Sequence, residues 1–314
     1  MALTLRGSMV AMVTPFRDDA IDEPAFKRLI ELHVKSGTSA VVPCGTTGES
    51  ATLSFAEHDR VIELAVHYTR GRMAVIAGTG SNSTREAVRL TKHAKEAGAD
   101  AALLISPYYN KPTQRGLFLH FKAISEAADM PLVIYNIQSR TAVNIEPETF
   151  AQLATLHNVV AVKESSGNLE QMSRIIQVTK GKLALLSGDD GLTLPVLAIG
   201  GTGVISVAAN LVPRDVAAMV NAYLGGRHAE ALQWHQRLLP LVKALFLETN
   251  PIPVKTAMGL LGMIEPGLRL PLCEMSDPNE ERLIQALETY GLLKMGPNGK
   301  PTPVRRGAGR AAKR

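Results

Sequence analysis

Lys163 ends the run Val159-Val160-Ala161-Val162-Lys163, four apolar residues followed by an amine. If two-residue alternation puts Ala161 and Lys163 on one face of a strand, that amine points into a buried mouth, where desolvation disfavours the ammonium form. Bringing a lysine from about 10.4 down to about 7 or 8 requires roughly 4 kcal/mol, within reach of burial plus a neighbouring dipole. A neutral amine is the nucleophile that forms Schiff bases with ketones. The alternative is a lysine that closes a strand and snorkels to solvent, so the surroundings must decide.

Those surroundings are polar at every apolar run's end: Thr14-Pro15, Gly45-Thr46-Thr47-Gly48-Glu49-Ser50, Gly78-Thr79-Gly80, Pro107-Tyr108-Tyr109-Asn110, Tyr135-Asn136, Lys163-Glu164, Gly188-Asp189-Asp190 and Ile205-Ser206. In GTTGES the glycines let backbone approach a ligand, and Thr46 and Thr47 can hold a small carboxylate. No Lys-Ser/Thr follows at P-loop spacing. Tyr135 is a candidate proton donor and acceptor, or else a buried tyrosine satisfied within the core. Arg140 offers a fork for a second carboxylate, or is a surface arginine. Asp189-Asp190 fall where barrels usually bind phosphate, and two carboxylates there argue against a phosphosugar. The eight histidines form no metal-ligand cluster, and Cys44 reads as a small apolar residue. No metal and no bound cofactor is called for.

The elements that must position these groups repeat. Eight apolar runs begin near Gly7, Ala40, Met73, Ala101, Pro131, Val159, Leu183 and Thr202, about 20 to 33 residues apart. Helical periodicity fills Glu23 to Val34, Phe55 to Tyr68, Ser83 to Ala97, Arg115 to Ala127 and Leu169 to Val178. Continuously apolar strands alternating with helices predict an α/β fold, a (β/α)8 TIM barrel, whose site gathers at the strands' C-terminal ends. Past Val207 only helical patterns remain, at Pro213 to Tyr223, His228 to Phe246, Pro253 to Leu261 and Asn279 to Leu287. The division predicted is a catalytic barrel over 1–224, a small C-terminal helical extension over 225–294, and a basic tail over 295–314.

That tail explains the net charge of +5. Six of the 34 basic residues lie in it with no acidic one, leaving 28 against 29 acidic residues in the body. The near-neutral body gives no reason to expect nucleic acid, and the Gly, Pro and Ala of the tail predict a solvated, unstructured appendage. Two cysteines, no membrane span and no signal-peptide pattern place the chain in the cytoplasm.

Taken jointly, GTTGES, SPYYNKPTQ (Ser106 to Gln114), YN-x-x-SRT (Tyr135 to Thr141), VVAVKESSG, SGDD (Ser187 to Asp190), GVISV (Gly203 to Val207) and ETNPIPVK (Glu248 to Lys255) resemble the 4-hydroxy-tetrahydrodipicolinate synthase (dihydrodipicolinate synthase) family. The match runs in order from about Gly7 to Leu293. The resemblance implies a lyase that condenses pyruvate with (S)-aspartate 4-semialdehyde, the entry to diaminopimelate and lysine. It implies that Lys163 forms the Schiff base and that Thr46 and Thr47 take the pyruvate carboxylate, helped by backbone near Gly188 and Ile205. Tyr135 would shuttle protons with Thr46 and with Tyr109 from an adjacent subunit, and Arg140 would seat the aldehyde's carboxylate. A homotetramer, a dimer of dimers, follows from the same likeness. Ser50, Ala51, His58, Asn82, Glu86 and Tyr108 match a lysine-binding allosteric site, with Phe55 where a histidine is common.

Two positions depart from the pattern: Gln138 replaces the usual proline after YN-x, and Ala142 replaces a glycine, so one fixed φ and one free positive φ are lost. The Arg140 loop is therefore where the chain departs from the family's pattern. Two other readings stand beside it: a pyruvate-dependent lyase acting on N-acetylneuraminate or a keto-deoxy sugar acid, and a non-catalytic barrel that binds a small acid.

Overall fold

A computed structural model describes residues 5–296 and 301–304. The eight apolar runs form eight parallel strands: β1 (Gly7–Ala11), β2 (Ala40–Val42), β3 (Ala74–Gly78), β4 (Ala101–Ile105), β5 (Leu132–Asn136), β6 (Val159–Glu164), β7 (Ala184–Ser187) and β8 (Gly203–Ser206). They close in the order β1-β8-β7-β6-β5-β4-β3-β2, leaving no edge. The predicted barrel is therefore the fold observed.

Around it run α1 (Glu23–Val34), α2 (Phe55–Thr69), α3 (Thr84–Glu96), α4 (Gln114–Ala128), α5 (Gln138–Thr141), α6 (Pro147–Leu153), α7 (Leu169–Thr179), α8 (Thr193–Ala198) and α9 (Pro213–Leu224). Several starts are set by a side chain that accepts from an otherwise orphan amide: Asp22 before α1, Ser54 with Glu57 in a capping box before α2, Thr113 before α4 and Asn168 before α7. Helices α5, α6 and α8 have no counterpart in the predicted pattern. Each is only 4 to 7 residues long, too short for a 3.6-residue period to register.

Strand alternation sorts side chains into two layers. Met9, Ala11, Val42, Ile76, Leu103, Val133, Tyr135, Ala161, Leu186 and Ile205 form one cluster, the barrel interior. Ala102, Leu104, Ile134, Val162 and Leu185 face outward onto Leu117, Phe121, Ile124 and Phe150 of the helices. Because Ala161 is inside and Val162 outside, Lys163 follows inward at the end of β6.

After α9 come α10 (His228–Ala244), α11 (Ile252–Leu260) and α12 (Asp277–Tyr290), with α10 packed on α9 and α12. Among the described residues, no helix is long and apolar enough to cross a membrane. The predicted unstructured tail needs a correction at its start. Leu293–Met295 pairs antiparallel with Pro301–Pro303, and the Val304 amide donates to the Leu292 carbonyl at 2.8 Å. A two-stranded ribbon needs few amides, so a proline-flanked edge strand suffices. Residues 297–300 and 305–314 of that tail lie outside the described residues.

Candidate active site

The C-terminal ends of the strands open into a cleft of about 740 Å³, and Thr46, Thr47, Tyr135, Arg140, Lys163 and Gly188 all line it. The structure thus brings together six of the residues singled out by their types. Lys163 and Tyr135 are register partners across β6 and β5, and the ammonium nitrogen sits 4.0 Å from the centre of the tyrosine ring. Lys163 is only 6% exposed. Burial lowers its pKa to about 7, with Asp190 opposing that shift and the Arg140 cation adding to it. Near neutrality a large share of this lysine is the uncharged amine. Tyr135 moves the other way: burial pushes its phenol up to about 12, so it rests protonated, as a donor.

Gly188 explains how the lysine is accommodated. A Cβ there would fall 2.9 Å from Lys163 Cε and 2.0 Å from Ser165 Oγ, so only glycine lets β7's end pass this close to β6. The Gly188 amide donates to the Glu164 carbonyl at 2.8 Å, locking that approach.

The GTTGES turn is held from two sides. Thr14 Oγ1 donates to the Gly48 carbonyl at 2.7 Å. Asn250 Nδ2 donates to Thr47 Oγ1 at 2.9 Å, which satisfies the hydroxyl's acceptor side and leaves its hydrogen for a ligand. The Asn250 carbonyl also accepts from Arg140 Nη2 at 3.1 Å. One residue ahead of α11 therefore positions both the threonine turn and the arginine fork.

Beneath the turn lies a pair that composition and spacing did not single out. Lys255 Nζ lies 2.5 Å from Glu49 Oε1, and both side chains are 0% exposed. Lys255 also donates to the Thr14 carbonyl at 3.0 Å and sits 4.3 Å from the Phe16 ring centre, while Glu49 Oε2 accepts from the Arg269 amide at 3.1 Å. Burial pushes the lysine's pKa down and Glu49 opposes that shift. Glu49 adopts φ 54°, left-handed for a non-glycine residue, so the pair fixes a strained turn. The signal was present: a charge inside a glycine-rich turn, and a lone lysine within the apolar stretch Ile252 to Met263.

The aspartate pair after β7 does not face the mouth as two open charges. Asp190 accepts from the Ser206 hydroxyl, from the Val207 amide at 2.8 Å and from the Ala208 amide at 3.1 Å, and Asp189 accepts from the Gly191 amide. The amides after β8, which a barrel would offer a phosphate, are already occupied by a buried carboxylate. Those two amides are therefore not free to receive a phosphate.

Three more of the residues singled out sit as follows. Ile205 is not in the lining but in the barrel interior below it. Tyr109 is 89% exposed, with φ 73°, and is not among the residues that line the cleft. Ala142 keeps a left-handed φ of 57° without glycine, a strain of about 1 kcal/mol at the end of α5. The loop of Arg140 therefore retains the turn that its sequence seemed to forfeit. Ser50, Ala51, His58, Glu86 and Tyr108 line the outer part of the same cleft, Asn82 Nδ2 donates to the Tyr108 carbonyl at 3.2 Å, and Phe55 packs under the Arg89 guanidinium.

A buried amine poised near neutrality, a phenol across from it and carboxylate-sized donors around both can form and process an imine of a keto acid. Comparison with known proteins agrees. The model of the dihydrodipicolinate synthetase family matches residues 4–290. The chain is 52% identical over 288 residues to 4-hydroxy-tetrahydrodipicolinate synthase of Geotalea uraniireducens, covering 92% of this chain and 99% of that one. The crystal structure of dihydrodipicolinate synthase from Aquifex aeolicus superposes with a TM-score of 0.91 at 53% identity, covering 92% and 99% of the two chains. That of the chloride-inhibited enzyme from Acinetobacter baumannii, complexed with pyruvate, gives 0.90 at 42% identity over 92% and 99%. With model, sequence and fold in agreement over nearly its whole length, the chain belongs to the dihydrodipicolinate synthetase family.

Proposed function

We infer that this chain is a lyase of the 4-hydroxy-tetrahydrodipicolinate synthase type, condensing pyruvate with (S)-aspartate 4-semialdehyde at the entry to diaminopimelate and lysine synthesis. The observation that carries the reading is the buried Lys163 amine, with its pKa lowered to about 7, at the inward end of β6. Its nitrogen attacks the keto carbon of pyruvate, water leaves, and the resulting imine loses a methyl proton to become an enamine. The enamine carbon attacks the aldehyde. Cyclisation by the second substrate's amine then displaces Lys163, which returns to its free form.

Around that carbon chemistry the residues divide the work. Thr46 and Thr47 hold the pyruvate carboxylate, with backbone near Gly188 and Ile205, and Arg140 seats the carboxylate of the aldehyde. Tyr135 passes protons, with Thr46 and with Tyr109 from a neighbouring subunit; the exposure of Tyr109 in the single chain suits a residue used by a partner. The assembly proposed is a homotetramer, a dimer of dimers, in the cytoplasm. Its units are a barrel over 1–224 and a helical extension over 225–294. Ser50, Ala51, His58, Asn82, Glu86 and Tyr108 form the proposed lysine-binding site.

The expected pH dependence follows from Lys163. Below about 7 the fraction of free amine falls tenfold per unit, so borohydride trapping of the pyruvate adduct slows in proportion, and above 7 it levels off. A rate independent of pH from 5.5 to 8 contradicts a titrating lysine. Substrate identity is tested by an assay coupled to reduction of the cyclic product, run with pyruvate and aspartate semialdehyde. Turnover with that aldehyde and none with N-acetylneuraminate is expected, and the reverse pattern assigns the chain to the sugar-acid lyases.

A further inference from the structure

Two serines follow Lys163-Glu164, and they are used differently. The Ser166 hydroxyl accepts from the Asn168 amide at 3.2 Å, an ordinary turn contact ahead of α7. The Ser165 hydroxyl is buried and makes no hydrogen bond of normal length and angle among the described residues, yet it lies near enough to the Tyr135 phenol to favour its ionised form. Its backbone is pinned by the bond from its amide to the Asn136 carbonyl at 2.9 Å, so the side chain is aimed by the fold and not by a contact of its own. It points to the point where Gly188 passes Lys163, since a Cβ on that glycine would meet Ser165 Oγ at 2.0 Å and Lys163 Cε at 2.9 Å. Buried hydroxyls are nearly always paired, and an orphan facing a reactive group marks a partner that the chemistry supplies.

We propose that Ser165 is a positioning residue for the reaction, its hydroxyl donating to the Tyr135 oxygen whenever that oxygen has given up its proton. This rests on the proton-passing role assigned to Tyr135 above. When the phenol protonates the aldehyde oxygen as the enamine carbon attacks it, a phenolate is left in a buried place where it is poorly solvated. Ser165 keeps its own proton and offers it as a hydrogen bond, and the phenol is restored when the proton returns from the next intermediate. No atom or electron is gained or lost at Ser165. The charged groups around the phenol are Arg140, which favours the phenolate, and Glu164 and Asp189, which oppose it; Ser165 favours it more than Arg140 does. The Arg140 side chain also carries a bond to the Asn250 carbonyl, whereas the serine hydroxyl is committed to no such bond.

The test uses the intact enzyme with Ser165→Ala and Ser165→Thr. A hydrogen bond to a transient charge has a strength that makes kcat of Ser165→Ala fall about 10- to 100-fold. The KM for pyruvate and the rate of borohydride trapping at Lys163 stay at wild-type values, because neither waits on the phenolate. Ser165→Thr, which keeps the hydroxyl, recovers most of kcat. Unchanged kcat in Ser165→Ala overturns the proposal, as does equal impairment of both variants. Loss of trapping in the unsubstituted enzyme would instead remove the Lys163 reading and leave the serine without a role.

Discussion

Lys163→Met lowers kcat/KM by about 10⁴-fold or more, the scale on which a covalent nucleophile is removed from a working site. Methionine matches the lysine stem in volume, so Gly188 and Tyr135 keep their neighbour and the loss is chemical. The same variant is predicted to be more stable than the unsubstituted chain at low and neutral pH. The sign follows from linkage. Folding lowers the Lys163 pKa from 10.5 to about 7, so below 7 the native state must bury an ammonium that the unfolded chain solvates freely. That penalty is relieved as pH rises from about 7 towards 10.5, where the unfolded lysine also loses its proton. The advantage of Lys163→Met is thus largest below pH 7, up to about 4 kcal/mol, and shrinks through that window. Thermal unfolding at pH 6 and pH 9, at fixed protomer concentration, reads the difference. A variant equally stable or less stable at both pH values contradicts the buried amine, whatever its activity.

Lys255→Met has the largest expected effect on stability. It leaves the Glu49 carboxylate fully buried, bonded to the Arg269 amide and without its countercharge. Removing one partner from such a pair is destabilising by about 3 to 5 kcal/mol, whereas replacing both by apolar residues is often close to neutral. The prediction is therefore a double-mutant cycle. Lys255→Met alone lowers the unfolding free energy by that amount, and Lys255→Met with Glu49→Leu loses distinctly less than the sum of the single changes. Because Glu49 belongs to the turn that carries Thr46 and Thr47, the KM for pyruvate rises in the single variant. Additive losses in the cycle, with pyruvate KM unchanged, would show that the pair neither couples nor holds the turn.

These two lysines also mark what could and could not be read from the residues alone. Lys163 was legible because continuous apolar strands, counted to eight, fix a barrel, and two-residue alternation then places the amine inward. The strands need no long-range information: each is an apolar run bounded by polar loop residues. The pairing of Lys255 with Glu49 was not legible, although each residue stood out in its own stretch, because the two are over 200 positions apart and only the closing of the helical extension over the barrel mouth joins them. Asp190 shows a subtler limit. Its place after β7 was readable, but its direction was not, and the carboxylate turns from the mouth to the amides of Val207 and Ala208. Arg140 rests on α5, four residues long, and is aimed by the Asn250 carbonyl of a distant segment. Charge and type were in the sequence, while orientation came from tertiary contacts.

The central claim is that the Lys163 amine captures pyruvate covalently. Incubation with pyruvate, reduction by borohydride and peptide mass mapping test it directly. The account predicts a reduced three-carbon adduct on the peptide that carries Lys163 and on no other lysine, Lys255 included, and none in Lys163→Met. An unmodified Lys163 in enzyme that turns over both substrates would contradict it.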